Sequence, residues 1–303
     1  MSTKRRGILW MLTSAVAYSL FTVFGKNVLE QLTATNVLLW RFLIAAPIAW
    51  LLVAARRIRG LGPSPFAVRW KPRFALGVLF GFLAWLAFAG LDYLPGALYV
   101  VIIYTYPAMV AVGSRLLGKP TSRRVWSAVF LTLVGIGFTV PEVVNGAGES
   151  ALLGMFLTLG NAFLYACYIL YSERIVSDTA GDENAGDGYV ATAWGLAGSL
   201  AVSAVIVVVA GGFEAPAGAK YVWSMIGLAV ISTVVAIVAF FVGVRHLGPA
   251  PAALVASTEP VLTLVWVVAF LGESLVPIQI VGAILVIAGV VWSQWTPRSA
   301  NVI

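Results

Sequence analysis

Charge is scarce in this chain: 10% of its 303 residues are Asp, Glu, Lys or Arg, whereas 61% are hydrophobic. The mean hydropathy is +0.97. Soluble domains carry about 25% charged and about 45–50% apolar residues. A chain this poor in charge has too little polar surface to cover its own outside, which excludes a water-soluble globular protein. The expected class is an all-α integral membrane protein, with lipid as the solvent for most of its surface. Cysteine is scarcer still: the single Cys167 excludes an intramolecular disulfide. There is one histidine, His246, and no HExxH, cysteine cluster, P-loop or Gly-x-Ser-x-Gly. No enzyme, metal or other cofactor is therefore expected. The net charge of +7 does not gather on a soluble face, so nucleic acid is not an expected partner. Beside membrane helices such charge sets orientation instead.

What the chain has in abundance is long apolar runs. Stretches of about 17–25 residues are read as spans of a bilayer core about 30 Å thick. Ten fall near 7–25, 34–54, 74–92, 96–117, 123–141, 152–171, 189–210, 223–243, 250–271 and 276–295. Lys4, Arg5 and Arg6 ahead of the first run imitate a signal peptide, and Ala15-Val16-Ala17 imitates its cleavage site. The run continues through Phe24 and has a counterpart later in the chain, so it is read as a retained first helix. With the N-terminus inside, sixteen of the nineteen Lys and Arg residues fall in inner segments. Only Lys26 and Lys220 lie outside, and Arg41 lies within span two. The chain is expected to be N-in and C-in.

The two halves echo one another. Gly7, Leu12, Ala15 and Tyr18 match Gly154, Leu159, Ala162 and Tyr165 at an offset of 147. Leu94, Ala97 and Pro107 match Leu247, Ala250 and Pro260 at 153; Gly118, Leu131 and Gly135 match Gly272, Leu285 and Gly289 at 154. The expected domains are a first five-helix repeat over 1–145, a second over 150–295 and a short tail at 296–303. Five is odd, so the second repeat must be inverted relative to the first. Inverted repeats recur in transporters, with substrate held near the midplane between the halves.

Glu259-Pro260 interrupts span nine, and its counterpart Tyr106-Pro107 interrupts span four. A carboxylate at mid-membrane costs about 2.5–3.5 kcal/mol on insertion scales. Proline removes a backbone donor and disfavours helix in the residue before it. Each half is thus expected to bend or break there, and paired interruptions point to a binding site. Glu259 has two readings: a cavity group meeting an amine, a cation or a proton, or a buried acceptor that ties down the bend. Helical spacing places Tyr99, Ile103 and Tyr106 together in span four, with Ala252, Ala256 and Glu259 as their counterparts in span nine. Ser14, Tyr18 and Phe21 share a face in span one; Asn161, Tyr165 and Tyr168 share one in span six. Aromatic walls suit planar ligands and cations, while a tyrosine inside a bundle can equally just bond a neighbouring helix. Trp85 and Phe88 in span three are weaker candidates. Arg41 is read either as an anion site or as a locally paired structural group. Glu259, Pro107, Pro260 and Arg41 are the coupling or gating candidates. Trp10, Trp126, Trp223, Trp292 and Trp295 fall where interfacial anchors belong. The small residues of "LVGIGF" (133–138) and "VGAILVIAGVV" (281–291) suggest close packing of spans five and ten of two protomers, although the oligomeric state is unknown.

Two halves of five spans, "LLWRFLIAAP" (38–47), "STEPVLTLVWVVAFLGES" and "IVGAILVIAGVVW" (280–292) resemble the EamA-type branch of the drug/metabolite transporter superfamily. By overall likeness the chain looks most similar to bacterial exporters of aromatic amino acids and methyl viologen. The resemblance implies export of small metabolites across the inner membrane, from a central cavity lined chiefly by spans one, three, four, six, eight and nine. The function expected is a secondary transporter working by alternating access, with a small-molecule substrate, membrane lipid around it and a proton as the candidate coupling ion. Organic cations such as methyl viologen-like drugs, and nucleotide sugars, are the alternative substrates. A sensor would bring a sizeable soluble module, which the loops are too short to hold.

Overall fold

A computed structural model describes residues 3–118, 123–139, 149–177, 187–247, 252, 255–256 and 258–294. Among the described residues the chain is helical, without strands, as backbone in hydrocarbon requires: a helix satisfies its own N–H and C=O groups. Among the described residues seven helices are long and apolar enough to cross a membrane: Arg5–Leu29, Ala34–Ile58, Trp70–Tyr93, Gly96–Leu116, Ser150–Ser172, Gly188–Ala210 and Ala219–Val244. Shorter apolar helices at Trp126–Gly135, Glu259–Leu271 and Ile280–Gly289 fall on the expected spans five, nine and ten. Much of the first half of span nine, Trp295 and the tail at 296–303 lie outside the described residues.

In chain order the elements are α1 (Thr3–Ser19), α2 (Phe21–Leu29), α3 (Ala34–Ile58), α4 (Trp70–Tyr93), α5 (Gly96–Ile103), α6 (Tyr106–Leu116), α7 (Arg123–Thr139), α8 (Glu149–Ser177), α9 (Gly188–Ala210) and α10 (Ala219–Ile226). A π-helical segment (Gly227–Val235), α11 (Ala236–Leu247), α12 (Glu259–Leu271) and α13 (Pro277–Gln294) complete it. Ends are set by local chemistry. The Thr33 hydroxyl accepts from the backbone N–H of Asn36 at the start of α3, and the Asp187 carboxylate accepts from those of Tyr189 and Val190 at 2.9 and 3.1 Å. Gly211 and Gly272 close α9 and α12 in the left-handed conformation, φ 79° and 66°, which glycine adopts without steric penalty.

Apolar side chains gain little by leaving lipid for one another, so helix association rests on close backbone approach and hydrogen bonds. The crossing of α4 with α9 shows both. A Cβ on Gly77 would overlap the carbonyl oxygen of Gly195, and one on Gly198 the carbonyl oxygen of Phe74. The Ser199 hydroxyl donates to the Gly77 carbonyl at 2.7 Å in the same seam. α4 also packs on α8, α1 on α11, and α3 on α9.

α7 and α13 form an extensive pair within the one chain: a Cβ on Gly135 would lie 2.6 Å from the Gly282 carbonyl oxygen, and Trp292 Nε1 donates to Ser127 Oγ at 3.0 Å. The small residues Gly135 and Gly282 of spans five and ten are thus used for close packing inside one protomer.

The bundle has two ends. At one, Gly7 abuts His246 and Leu247, and Arg56 pairs with Asp187 at 3.1 Å. At the other, Lys220 pairs with Glu30 at 2.6 Å. There the 211–218 connection is also held by Asn36, Gln31 and Trp40, through the backbones of Glu214 and Ala217. These are termed the Arg5 end and the Glu30 end. Trp10, Trp126, Trp223 and Trp292 are exposed, as membrane-interface anchors would be.

Candidate functional site

Two helix interruptions build the centre of the bundle. α5 stops at Ile103, and Tyr104 and Thr105 form a turn before α6 resumes at Tyr106-Pro107. α12 starts at Glu259-Pro260, with Thr258 ahead of it in a turn. Proline sits in the first turn of both α6 and α12, where its missing N–H would have no helical acceptor anyway. The breaks bring the two segments together: the Tyr104 hydroxyl and the Glu259 carboxyl are hydrogen-bonded. Glu259 also lies within electrostatic reach of Tyr18, Tyr99, Tyr106 and Tyr165.

From that carboxyl an aromatic wall runs across the interior. Ring centroids are 6.0 Å apart for Tyr104 and Tyr106, 4.7 Å for Tyr106 and Tyr165, and 6.1 Å for Tyr165 and Tyr168. Tyr168 then meets Phe80 at 5.7 Å. Beyond Phe80 stands Arg41. Its guanidinium lies 5.1–5.9 Å from the ring centres of Phe21, Phe42, Phe80 and Phe88, a distance at which a cation is drawn to a ring face. Arg41 Nε donates to Thr233 Oγ1 at 2.8 Å, and that hydroxyl donates to the Leu228 carbonyl, five residues back, at 2.9 Å. The π-helical winding of 227–235 thus holds the acceptor that Arg41 uses; such segments recur at functional sites.

Tyr99 and Tyr104 are buried, whereas Tyr18, Tyr106, Tyr165, Tyr168 and Glu259 keep partial exposure despite lying deep in the bundle. Deep residues with residual surface line an internal space. Asn161 Nδ2 donates to the Tyr99 hydroxyl at 3.3 Å, while its Oδ1 is buried without a partner.

The space is closed at the Glu30 end. The Glu273 carboxylate accepts from the backbone N–H groups of Gly96 and Ala97, at 2.7 and 3.0 Å, and so caps α5. Gly96 leaves just enough room there for Thr22 and Val267: a Cβ would stand 3.0 and 3.3 Å from them. Trp266 Nε1 donates to Ser19 Oγ at 2.9 Å and ties α12 to α1. At the Arg5 end α6 packs on α8 and α1 on α11, but among the described residues nothing comparable joins α6 or α8 to α1 or α12.

Of the residues singled out in the sequence, Tyr18, Tyr99, Tyr106, Asn161, Tyr165, Tyr168 and Glu259 are brought together, and Phe21 reaches them through Arg41. Ser14 is committed elsewhere, donating to the Ala236 carbonyl at 2.9 Å. Trp85 stands apart beside Phe82, its Nε1 3.4 Å from Thr35 Oγ1. Ile103 and Tyr106 pack against the apolar cluster that contains Tyr99. Ala256 is half-buried and Pro260 buried. Tyr104, Phe80, Phe42, Thr233 and Glu273 were not singled out. Tyr104 stands two residues before a tyrosine that was, in the segment the paired prolines had already marked.

The profile of the EamA-like transporter family matches residues 5–140 and again 152–294. An uncharacterized transporter of Bacillus subtilis (strain 168), YcbK, is 28% identical over 290 residues, 91% of this chain and 88% of its own length. The threonine/homoserine exporter RhtA of Escherichia coli (strain K12) is 31% identical over 249 residues, 77% of each chain. A crystal structure 18% identical in sequence shares the fold with a TM-score of 0.66, over 96% of this chain and 97% of its own. The chain belongs to the EamA-like transporter family, and it is a multi-pass membrane transporter rather than an enzyme.

Proposed function

We propose that this protein exports amino acids, aromatic ones among them, across the bacterial inner membrane by alternating access. Its two five-helix halves, related by inversion and with both termini inside, rock around the Glu259 cavity. The observation that carries the reading is the convergence of Glu259 with five tyrosines between two helix breaks. A carboxylate and aromatic faces at that depth suit an amine-bearing, partly apolar solute. Further support comes from the double family match and from the exporter named among the relatives. So does the packing, which repeats when the halves are exchanged: α4 with α8 corresponds to α1 with α11, and α6 with α8 to α1 with α12. Membrane-embedded carboxylates commonly carry protons, and Glu259 is the proposed coupling group. An organic cation is the second reading, favoured by the same carboxylate and rings.

The test is flux out of proteoliposomes loaded with labelled Phe, Trp or Thr, with and without a pH gradient, for wild type and Glu259→Gln. Saturable amino-acid flux that the gradient accelerates, with the acceleration lost in Glu259→Gln, is the expected result. Flux indifferent to gradient and mutation leaves a uniporter in which Glu259 is structural. Transport of methyl viologen but of no amino acid replaces the first reading with the second.

A further inference from the structure

Between Trp50 and Arg73 the chain carries six basic residues and no acidic one. Arg56 is committed to structure. Its Nη2 donates to the Leu61 carbonyl at 2.8 Å and to Asp187 at 3.1 Å, and its guanidinium stands 3.8 Å from the Tyr189 ring centre. Arg57, Arg59, Arg69 and Lys71 are exposed and make no ion pair with a described residue. Large apolar side chains stand exposed among them: Ile58 at 87%, Leu61 at 63% and Phe66 at 67%. Cations interleaved with exposed apolar groups at the end of a membrane helix place this corner in the headgroup layer, where anionic lipid attracts Lys and Arg.

The same corner holds a groove. Trp50, Val53, Ala54 and Arg57 share one face of α3 by helical spacing, and with Ile58 and Pro65 they line a space of about 380 Å³, within the range of small-molecule sites. Trp194 of α9 sets its shape. Its Nε1 donates to the Pro65 carbonyl at 2.9 Å, and its ring lies 5.0 Å from Trp50, 5.5 Å from Phe66 and 4.8 Å from Trp70. The groove is therefore built by α3, α4, α9 and the 59–69 connection before anything enters it. The seven residues from Trp50 to Arg57 advance about 10 Å along the helix axis. A charge thus stands at the wet end of an apolar slot that descends toward the bilayer core. An acidic peptide or a nucleic acid brings charge without the matching tail, whereas a phospholipid brings both in that order.

We propose that this groove seats one anionic phospholipid, its phosphate on the Arg57 guanidinium and an acyl chain on Trp50, Val53, Ala54 and Ile58. A guanidinium fork grips two phosphate oxygens at once, and Arg59, Arg69 and Lys71 add to the attraction for a negative headgroup. The Glu30 end differs. A groove there passes Phe24 and Phe270 and reaches Lys220, but Glu30 already holds that ammonium at 2.6 Å. The assignment is independent of what the transporter carries and of which leaflet the Arg5 end meets.

The test is lipid retention by the purified full-length protein, released from micelles holding equimolar phosphatidylglycerol and phosphatidylethanolamine and weighed by native mass spectrometry. Wild type is expected to retain one phosphatidylglycerol with about tenfold preference, the contribution of one charged hydrogen bond. Arg57→Gln removes the fork and should bring the two lipids to parity. Ala54→Trp, at an exposed position of the same face, fills the groove with every charge left in place and should do the same. Arg57 is exposed, so its variant reads the site even where Ala54→Trp does not fold. Arg115→Gln removes an equal charge from an exposed arginine at the end of α6, outside the groove, and should keep the wild-type preference. The proposal is overturned if wild type shows no preference, if Arg115→Gln lowers it as far as Arg57→Gln, or if folded Ala54→Trp leaves it intact. Displacement of the lipid by excess inorganic phosphate also overturns it, since a bare anion site has no need of the groove.

Discussion

Tyr104, the residue at the break between α5 and α6, donates its hydroxyl to Glu259, the first residue of α12. One hydrogen bond thus joins the interrupted helices of the two halves at the depth where each loses regular winding. Backbone freed in a membrane must be re-satisfied within protein or line a cavity, and this contact fixes where that happens.

Removing it is the first prediction. Tyr104→Phe keeps the ring in the wall and deletes the donor, while Glu259 stays in place. A hydrogen bond to a charged group is worth about 1.5–3 kcal/mol, so amino-acid kcat/KM in proteoliposomes should fall by roughly tenfold or more. Unchanged kinetics would mean that the contact is incidental.

Thr233→Val removes the one acceptor that Arg41 has among the described residues, while preserving side-chain volume. The partner left without a bond is charged and buried, and thermal unfolding in detergent should register a loss of about 1–3 kcal/mol. Thr263→Val serves as the control, because the Thr263 hydroxyl only donates to the Glu259 carbonyl in its own helix.

The Glu30 end is held shut by Glu273 capping Gly96 and Ala97. In a Cys167→Ser background, Thr22→Cys should react slowly with an impermeant thiol reagent applied outside intact cells. Adding Glu273→Ala should speed labelling by roughly tenfold, since two charge-assisted bonds across that end are lost. Equal rates would separate Glu273 from gating.

Orientation is open to the same chemistry. Ala217→Cys, in the connection ahead of α10, should be labelled in intact cells. Ser64→Cys, between α3 and α4, should be labelled only after permeabilisation. The reverse pattern would place the N-terminus outside.

Gly77→Val tests the scaffold. A Cβ at this position overlaps the Gly195 carbonyl oxygen, and backbone cannot step aside as a side chain can. Overpacking costs typically about 1–3 kcal/mol, so a lower Tm and poor yield are expected. Gly160→Ala, whose Cβ would meet only Leu86 at 3.8 Å, should behave as wild type.

What the sequence determined by itself is what depends on composition and local covalent geometry. Scarce charge and long apolar runs require helices in lipid. Proline favours a break near Tyr106 and near Glu259, because the missing N–H and the restricted preceding residue are local facts, although Pro47 is accommodated inside an unbroken α3. The matched offsets suffice to pair Tyr18 with Tyr165 and Tyr106 with Glu259. Tertiary structure decided which polar groups meet. Tyr104 points to Glu259 because the break turns the chain. Arg41 lies among phenylalanines from three helices, and its acceptor, Thr233, is 192 residues away in the chain. No periodicity in either segment encodes that distance. The small residues of spans five and ten show the same division: their size calls for close packing, but only the folded chain specifies that the partner is its own other half.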